Sequence, residues 1–304
     1  MKHVGIVLLN YNSDLHTLEC LRSLQNLKWK GRLTVYVVNN ASKTSFRSKV
    51  VKTFPRSVFI QNKKNLGFTG GNNVGINQAL KDGVDVIMIL NNDTKVHPQL
   101  ANHLTEALKP KKVGIAVPKI YFYPGFEFHH QRYKKSERGK VIWYAGGHID
   151  WNNVFGIHHG VDEVDKGQFN KQKFVKFASG CCMAIKREVI EKIGPFDDRY
   201  FLYLEDADFS IRTQHAGFTI RYEPRAILWH KNAESTGGSG SNLQDYFFTR
   251  NRLLFGFKYA PVRTKIALAK ESLKFLLKGR KWQKKGTIDF YLNRFKKGSY
   301  PVKN

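Results

Sequence analysis

The sequence predicts an α/β protein with a mostly parallel sheet covered by helices on both faces, followed by a basic helical extension. Short apolar runs alternate with amphipathic stretches over the first hundred of 304 residues, which is the pattern of strands joined by crossover helices. The apolar runs end in clusters of Asn and Asp, and the last part of the chain combines a helical apolar period with many Lys and Arg. These observations divide the chain into a domain of residues 1–260 and an extension of residues 261–304.

Four buried strands are predicted in the first hundred residues. Each is a short apolar run that is bounded by turn residues and is too short for a helix. They cover Val4–Leu9, Leu33–Val38, Val58–Ile60 and Asp85–Leu90. Polar clusters follow three of them: Asn10-Tyr11-Asn12, Asn39-Asn40 and Asn91-Asn92-Asp93. Because ligands bind beyond the carboxyl ends of strands in such sheets, we expect these clusters at the binding edge.

The helices are predicted from apolar spacing and from the residues at their ends. Leucines recur at every third position in the first helix, and a glycine follows the last one as a favourable stop. The predicted helices run from the cap Ser13 through Leu24, from Gly70-Gly71 through Leu80, over Arg187–Ile193, and over Asp206–Ala216.

The middle of the chain has a weaker pattern. Residues 121–173 are aromatic, rich in His and basic, and they predict strands and loops without a regular alternation. A regular pattern returns at Phe174–Ile185, and a last strand is predicted at Ala226–Trp229. Gly237–Gly240 is predicted to form a flexible loop.

Composition excludes several protein classes. Hydrophobic residues make up 41% and aromatic residues 13% of the chain, which is enough for a large core and rules out a disordered protein. No apolar run approaches the roughly 18–20 residues of a membrane span, and the first strand lacks the flanks of a signal peptide. The three Cys, two of them adjacent, provide neither a disulfide framework nor metal-ligand spacing. We therefore expect a cytosolic, reduced protein.

The net charge of +27, from 51 Lys and Arg against 24 Asp and Glu, predicts a negatively charged partner. Residues 261–304 alone hold 13 basic residues and two acids. In this extension Ile266, Ala269, Leu273 and Leu276-Leu277 recur every three to four positions, with Lys270, Lys274 and Lys278 every four. A basic amphipathic helix is typical of proteins that bind an anionic membrane surface. The alternative is a helix that packs on the preceding domain or on a second subunit of a homodimer.

Few residues of the sequence suggest a catalytic or metal-binding role. Motifs for P-loop kinases, zinc proteases and serine hydrolases are absent from the sequence. Asn91-Asn92-Asp93 places one carboxylate among amide oxygens, which suit a hard divalent cation, although an Asx turn has the same composition. His230 follows the last predicted strand, where it is either a ligand or a structural residue.

Three acids, Glu205, Asp206 and Asp208, follow an aromatic run in an otherwise basic chain. Acids at the start of a helix are ordinary partners of the helix dipole. A carboxylate set among aromatic residues can also have a raised pKa and act as a base. The residues alone leave both interpretations open.

Eight segments, taken in order, resemble the inverting glycosyltransferases of family 2, which have the GT-A fold. They are residues 7–13 (VLLNYNS), 37–42 (VVNNAS), 65–75 (NLGFTGGNNVG), 90–94 (LNNDT), 179–183 (SGCCM), 194–197 (GPFD), 201–208 (FLYLEDAD) and 229–231 (WHK). The resemblance extends from about residue 3 to about residue 260. Within the family the sequence is most similar to the rhamnosyltransferase branch, through residues 143–147 (WYAGG) and 167–169 (GQF).

The resemblance implies a nucleotide-binding part, about residues 1–120, and an acceptor-binding part, about residues 121–260. Asn10 and Tyr11 would line the base and ribose, the glycines would let the backbone approach the nucleotide, and Asn73 would hold the glycine loop. Asn39 stands where the family usually has an Asp that reads the base, so the base stays open between dTDP and UDP. The implied nucleotide-sugar-binding residues are Asn10, Tyr11, Asn12, Asn39, Gly67, Gly70, Gly71, Asn73 and Asn92.

The resemblance also implies the chemistry. Asp93, Asn91 and His230 would bind Mg²⁺ or Mn²⁺, although Asn91 replaces the first Asp of the family's metal motif. Asp206 would be the catalytic base, with Glu205 as its neighbour. The implied donor is a nucleoside-diphosphate sugar, with rhamnose favoured, and the acceptor a glycan or lipid-linked hydroxyl in cell-surface polysaccharide biosynthesis. We expect the enzyme on the inner face of the cell membrane.

Two other functions stay open on the sequence. An inactive glycosyltransferase-like scaffold is compatible with the replacement of two acids by Asn39 and Asn91. A nucleic-acid-binding protein would fit the charge, but no helix-turn-helix, RRM or zinc-finger pattern accompanies it. We therefore expect no nucleic-acid partner.

Overall fold

The structure is a computed structural model that describes residues 2–43, 46–232 and 240–302. Strands and helices alternate in its first part, as the apolar runs predicted. They are β1 (His3–Asn10), α1 (Asp14–Leu24), β2 (Arg32–Asn39), α2 (Arg47–Thr53), β3 (Ser57–Gln61), α3 (Gly67–Lys81) and β4 (Val86–Asn91). Helix α3 begins ahead of its predicted start, so that Gly70 and Gly71 lie inside it.

Shorter strands follow, most of them in the region without a regular pattern. The elements are β5 (Thr94–Val96), α4 (Leu100–Ala107), β6 (Val113–Phe122), β7 (Ile142–Tyr144), β8 (Gly147–Asp150), β9 (Phe155–His158), β10 (Lys173–Val175), β11 (Cys182–Lys186), α5 (Arg187–Ile193), α6 (Glu205–His215) and β12 (Thr219–His230). A short 3₁₀ turn spans His130–Arg132. Helices α5 and α6 lie where the sequence predicted them.

One mixed sheet runs through the described domain in the order β10-β12-β6-β11-β4-β1-β2-β3, with β5 beside β12 and β7 beside β6. Strands β3, β2, β1 and β4 are parallel, β11 is antiparallel between β4 and β6, and β6 and β12 are parallel again. Strands β1 and β4 are buried along nearly their whole length, as in a sheet covered on both faces. The predicted fold class is confirmed.

The parallel register brings the polar clusters together. Asn10 pairs with Asn39 across β1 and β2, and Leu9 pairs with Asn91 across β1 and β4. Helix α3 packs closely on β1, because a Cβ on Gly75 would lie 2.5 Å from a methyl carbon of the fully buried Val7. A buried side chain of this kind contributes roughly 1.5–3 kcal/mol to stability. The core thus fixes the edge where the polar residues lie.

Two later segments, the regular pattern at Phe174–Ile185 and the predicted strand at Ala226–Trp229, have different bounds in the structure. Phe174–Ile185 is split into β10 and β11 by a turn. The strand predicted at Ala226–Trp229 is the end of β12, which begins at Thr219. The register of β12 against β6 shifts between Glu223 and Ile227, and this irregularity, at a proline, hid the first half of the strand from a pattern search. The loop predicted at Gly237–Gly240 lies outside the described residues except for Gly240.

Three helices complete the chain: α7 (Asn242–Tyr259), α8 (Val262–Lys278) and α9 (Lys281–Tyr291). The sequence predicted α8 but neither α7 nor α9. Leu268 of α8 fills the space beside Gly256 of α7, and Phe290 of α9 stacks on Phe257 at 5.5 Å between ring centroids. The extension therefore packs on the preceding domain, as one alternative expected. Within the described residues, no helix is both long and apolar enough to cross a membrane.

Candidate active site

Asn10 organises the polar edge between β1 and β2. Its side chain is fully buried. Its Nδ2 donates to Asn39 Oδ1 at 3.0 Å and to Asp14 Oδ1 at 2.9 Å, and its Oδ1 accepts from the Thr17 hydroxyl at 2.9 Å. Asn10 therefore has no exposed atom that could make the direct nucleotide contact predicted for it. The residue instead positions the turn that follows β1.

Three other predicted nucleotide-binding residues lie beside it. Asn39 is buried, and its Nδ2 donates to Gln61 Oε1 at 2.9 Å, so both ends of its amide bond with protein. Tyr11 is half-buried. Asn12 is exposed in a left-handed conformation (φ 52°), and its Oδ1 accepts from the Lys43 N–H. Tyr11 and Asn12 are therefore the members of this group that a ligand at the edge can reach.

Asn40 was not predicted as a site residue, yet it fixes the loop that leads into α3. Its Nδ2 donates to Asn65 Oδ1 at 2.9 Å and to the Gly67 carbonyl at 3.1 Å. Its Oδ1 accepts from Asn62 Nδ2 and from the Leu66 N–H, both at 3.0 Å. The only sequence signal was its place directly after Asn39, because the loop it holds lies more than twenty residues away.

Gly67, Gly70 and Gly71 lie in the first turns of α3, and a Cβ on each of them would meet protein atoms. A Cβ on Gly67, which has φ 73°, would overlap the carbonyl oxygen of Phe201, and one on Gly71 would overlap the side chain of Leu9. A Cβ on Gly70 would lie 2.9 Å from a neighbouring side chain. Packing within the protein accounts for these glycines, and their contact with a nucleotide stays a prediction.

Asn73 holds a different loop from the predicted one. Its Nδ2 donates to the Phe196 carbonyl at 2.8 Å and to Asp198 Oδ1 at 2.6 Å, and its Oδ1 accepts from the Phe196 N–H at 3.0 Å. The prediction that Asn73 secures the glycine loop is therefore corrected. Its side chain joins α3 to the turn that follows α5.

The predicted metal ligands lie where β4 and β12 end. The buried ring of His230 places its Nε2 3.1 Å from Asp93 Oδ1. Asn91 is the last residue of β4, and Asn92 Nδ2 donates to the Thr17 hydroxyl at 2.8 Å. The structure thus brings together two residues that are far apart in the sequence.

Asp93 and His230 fit a divalent cation that is shared with a substrate. Mg²⁺ is often held by one or two protein ligands, while water and substrate phosphates fill the other positions. His230 Nε2 and Asp93 Oδ1 face each other at 3.1 Å, a separation at which both atoms could contact one cation. In the part of the chain that the structure describes, no three His, Cys, Asp or Glu side chains converge into a cage.

Asp206, the second residue of α6, is held by two backbone N–H groups. Its Oδ2 accepts from Gly180 at 2.9 Å and its Oδ1 from Ala207 at 2.8 Å. Burial raises the pKa of Asp206 to about 6, although these hydrogen bonds act in the opposite direction. Such a carboxylate is mostly ionised at neutral pH and can still accept a proton. This is the chemistry that a general base requires.

Glu205 differs from its neighbour. It is buried, and its Oε2 has no hydrogen-bond partner among the described residues. Burial, together with the charge of Asp206, raises the pKa of Glu205 well above its usual range. The two neighbouring carboxyl groups therefore oppose each other's ionisation, and the two N–H donors on Asp206 favour its ionised form. Asp206 is the better placed of the two to act as a base.

Residues 179–181 join Asp206 to the end of the sheet where the predicted metal ligands lie. Gly180 donates to Asp206, and the carbonyl of Cys181 accepts from the Asn91 N–H at 2.8 Å. A Cβ on Gly180 would lie 3.3 Å from the ring of Phe68 in α3. Three elements therefore meet at Gly180. The sequence marked this segment only as part of a motif and gave its N–H no role.

Asp208, the third acid of the cluster, is structural. It is fully buried, and its Oδ1 accepts from Lys258 Nζ at 2.7 Å and from the Tyr259 hydroxyl at 2.8 Å. Its Oδ2 accepts from Arg212 Nε at 2.6 Å. These bonds tie α6 to the end of α7.

Glycosyltransferases of the GT-A fold are the class that this sheet and its polar edge define. The solved structure of GalNAc-T7 with UDP, GalNAc and Mn²⁺ matches with a TM-score of 0.59 at 14% identity, over 90% of this chain and 56% of that one. The chain belongs to glycosyl transferase family 2, whose family model matches residues 5–194. The family predicted from the sequence is confirmed.

Two relatives are sugar transferases by name. The N-acetylglucosaminyl-diphospho-decaprenol L-rhamnosyltransferase of Mycobacterium tuberculosis is 25% identical over 241 residues, covering 76% of this chain and 77% of that protein. The low-salt glycan biosynthesis hexosyltransferase Agl10 of Haloferax volcanii is 23% identical over 252 residues, covering 83% and 74%. The predicted similarity to rhamnosyltransferases is confirmed.

Proposed function

We propose that the protein is an inverting glycosyltransferase that moves a sugar, with rhamnose favoured, from a nucleoside-diphosphate donor to a hydroxyl group of a glycan or lipid-linked acceptor. The observation that carries this proposal is the carboxylate of Asp206, which has a pKa of about 6 and is fixed by two N–H groups. Carboxyl groups with perturbed pKa values concentrate at functional sites. An inactive scaffold would not require such a group.

In the proposed reaction the acceptor hydroxyl attacks the anomeric carbon of the donor, and its proton passes to Asp206. The new C–O bond forms on the face opposite the leaving group. The bond from the anomeric carbon to the phosphate oxygen breaks, and its electron pair leaves with the nucleoside diphosphate. A single displacement of this kind inverts the configuration at that carbon. General-base catalysis contributes about 10²–10⁴-fold in rate.

Asp93 and His230, with Asn91 beside them, are the residues proposed to hold Mg²⁺ or Mn²⁺. When bound, the cation would neutralise charge that develops on the departing diphosphate. The structure of GalNAc-T7, which has a similar fold, holds Mn²⁺ together with UDP, which supports the use of a divalent cation.

The sugar and the acceptor are proposed from the relatives. The name of the mycobacterial enzyme specifies rhamnose and a lipid-linked diphosphate acceptor. Trp143, in the proposed acceptor-binding part of residues 121–260, packs edge-on against His230 with 4.6 Å between ring centroids. An acceptor bound along this part would therefore lie near the proposed metal ligands. Because Asn39 replaces the usual Asp, the base stays open between dTDP and UDP.

The outward face of α8 supports an anionic membrane surface as a partner. Leu268 and Ser272 face inward, whereas four apolar side chains face solvent: Val262, Ile266, Leu273 and Leu277, with exposed fractions of 72%, 53%, 59% and 75%. Basic residues alternate with them: Arg263, Lys270, Lys274 and Lys278. A Lys or Arg near an anionic surface contributes about 1 kcal/mol to binding. We propose that the enzyme works at the cytoplasmic face of the cell membrane, where it meets a lipid-linked acceptor.

Nucleotide release from a panel of donors tests the proposed function. The panel contains dTDP-rhamnose, UDP-galactose, UDP-glucose and UDP-N-acetylglucosamine, each with Mg²⁺ or Mn²⁺ and a lipid-linked N-acetylglucosaminyl diphosphate as acceptor. We expect turnover of one donor, and titration calorimetry should show that Asp206→Asn still binds that donor without turning it over. Donor binding without turnover by the wild type would instead support the inactive scaffold. If none of the four nucleotide sugars binds, the proposal is contradicted.

A further inference from the structure

The backbone that leads into Asp206 has an unusual conformation. Phe201, Tyr203 and Leu204 have φ values of 65°, 71° and 67°, in the left-handed region that residues other than glycine rarely adopt. Each such residue costs on the order of 1–3 kcal/mol unless its surroundings impose the conformation. Residues 199–204, the pre-base segment, therefore need an external restraint. Because Glu205 and Asp206 follow at once, that restraint also sets where the base lies.

The restraint comes from α7. The amide nitrogen of Asn251 lies 2.8, 2.7 and 3.0 Å from the carbonyl oxygens of Tyr200, Leu202 and Tyr203. Asn251 Oδ1 accepts from Arg250 Nε at 3.0 Å, so the amide is oriented with its donors toward the segment. Both side chains are fully buried. One asparagine thus binds three backbone carbonyls of the pre-base segment.

Arg250 extends the restraint to the C-terminal extension. Its Nη2 donates to the Arg199 carbonyl at 3.2 Å and to the Tyr200 carbonyl at 3.0 Å, while its Nη1 donates to the Lys296 carbonyl at 2.7 Å. The Lys296 N–H in turn donates to the Arg199 carbonyl at 3.0 Å. One buried guanidinium therefore links the pre-base segment to residues beyond α9.

We infer that Asn251 and Arg250 are positioning residues for the transfer reaction, because they hold the left-handed backbone that carries Asp206. The inference rests on the proposed function, in which Asp206 is the base. Neither side chain has an exposed atom that could touch a substrate. Their effect should therefore fall on the chemical step and leave donor binding intact.

The first test compares Asn251→Ala with Asn102→Ala. Asn102 in helix α4 also donates to a backbone carbonyl, but to that of Lys28, which lies outside the pre-base segment. We expect Asn251→Ala to lower kcat about 10–100-fold with an unchanged donor Kd, since a misplacement of about 1 Å can cost 10²-fold in rate. Asn102→Ala should keep the wild-type kcat. A wild-type kcat in folded Asn251→Ala, or a loss of donor affinity that equals the loss of kcat, would overturn the inference.

Asn251→Ser provides a variant with one donor and a smaller change in the core. Its kcat should lie between those of the wild type and Asn251→Ala, whereas a value equal to the wild type would show that the donated bonds are dispensable. This variant also keeps the inference testable if the alanine variant does not fold.

Hydrogen exchange separates this inference from the proposed function. The Asp208 N–H donates to the Leu204 carbonyl and the Leu202 N–H to the Tyr200 carbonyl, so both amides report on the pre-base segment. Both should exchange faster in Asn251→Ala than in Asn102→Ala or the wild type. Unchanged exchange would overturn the inference even if the wild type transfers sugar. Wild-type protein without any transferase activity would instead refute the proposed function.

Discussion

Replacement of Asp206 by Asn should abolish turnover. It should also make the protein more stable than the wild type, by a margin that grows as the pH rises. In the proposed mechanism the carboxylate accepts the proton of the acceptor hydroxyl, but its ionisation in a largely enclosed position opposes folding. Asn keeps the shape of the side chain and one acceptor oxygen, which serves one of the Gly180 and Ala207 N–H groups. It cannot ionise or accept a proton. The two effects therefore have one cause and should appear together in a single variant.

The size of the stability effect follows from the pKa of Asp206. Burial raises it from 3.8 to about 6, which at about 1.4 kcal/mol per pH unit corresponds to at most about 3 kcal/mol. Partial access of the side chain to solvent makes this an upper bound. Because the pKa of Asp206 is higher in the folded than in the unfolded state, the stability that the wild-type carboxyl contributes is fully present below about pH 4. That contribution is lost as the pH rises through about 6.

The stability of Asp206→Asn relative to the wild type should therefore increase by about 1–3 kcal/mol between pH 4 and pH 8. The assay is urea denaturation of both proteins at pH 4, 6 and 8, with kcat measured at pH 8. Asp150→Asn is the control. Its stability relative to the wild type should instead decrease as the pH rises, since hydrogen bonds from Asn153 lower the pKa of Asp150. Stability curves of wild type and Asp206→Asn that stay parallel with pH would refute the reasoning, and so would near-normal turnover by the variant.

Three further predictions concern the base, the metal and the membrane. For the wild type, kcat/KM should rise with pH and level off above about 6, and a flat profile from pH 5 to pH 8 would contradict Asp206 as the base. Asp93→Ala should weaken metal-dependent donor binding at least about tenfold in titration calorimetry, since it removes the one carboxylate of the metal motif; full wild-type activity in chelator would show that the metal assignment is wrong. Leu273→Gln combined with Leu277→Gln should reduce co-sedimentation with anionic vesicles severalfold, whereas Leu15→Gln, at a similarly exposed leucine of α1, should not. Unchanged sedimentation with a loss of self-association would favour a homodimer through this face.

The first half of the sheet could be predicted because burial on both faces leaves a simple signal. A strand with no solvent-exposed side needs an uninterrupted apolar run, and β1, β2 and β4 each have one. The polar residues that end these runs, Asn10, Asn39 and Asn91, could be placed at one edge because parallel strands share a direction. Strand β12 was predicted only in part, since its bulge at a proline breaks the alternation.

The roles of individual side chains could not be read from spacing. Asn10 was expected to face a ligand, yet its contacts come from Asn39 and Thr17, whose positions depend on the packed fold. Asn73 was assigned to the wrong loop for the same reason, because Phe196 lies 123 positions away.

Helix α7 was missed although Ser241 caps it in the usual way. Its apolar residues are divided between partners: Phe247 stacks on Phe201 of the pre-base segment, and Phe257 stacks on Phe290 of α9. No single apolar stripe therefore marks the helix in the sequence. Residues that hold a distant backbone segment through buried hydrogen bonds, as Asn251 does, have no motif of their own.

The configuration of the product tests the central claim most directly. The wild-type enzyme is given a nucleoside-diphosphate sugar of defined anomeric configuration, and the glycosidic linkage formed is assigned by the one-bond carbon–hydrogen coupling at the anomeric carbon in NMR. A single displacement assisted by Asp206 predicts a linkage of inverted configuration, and Asp206→Asn should form none of it. A linkage of retained configuration, or the same inverted linkage formed at an undiminished rate by Asp206→Asn, would contradict the proposed mechanism.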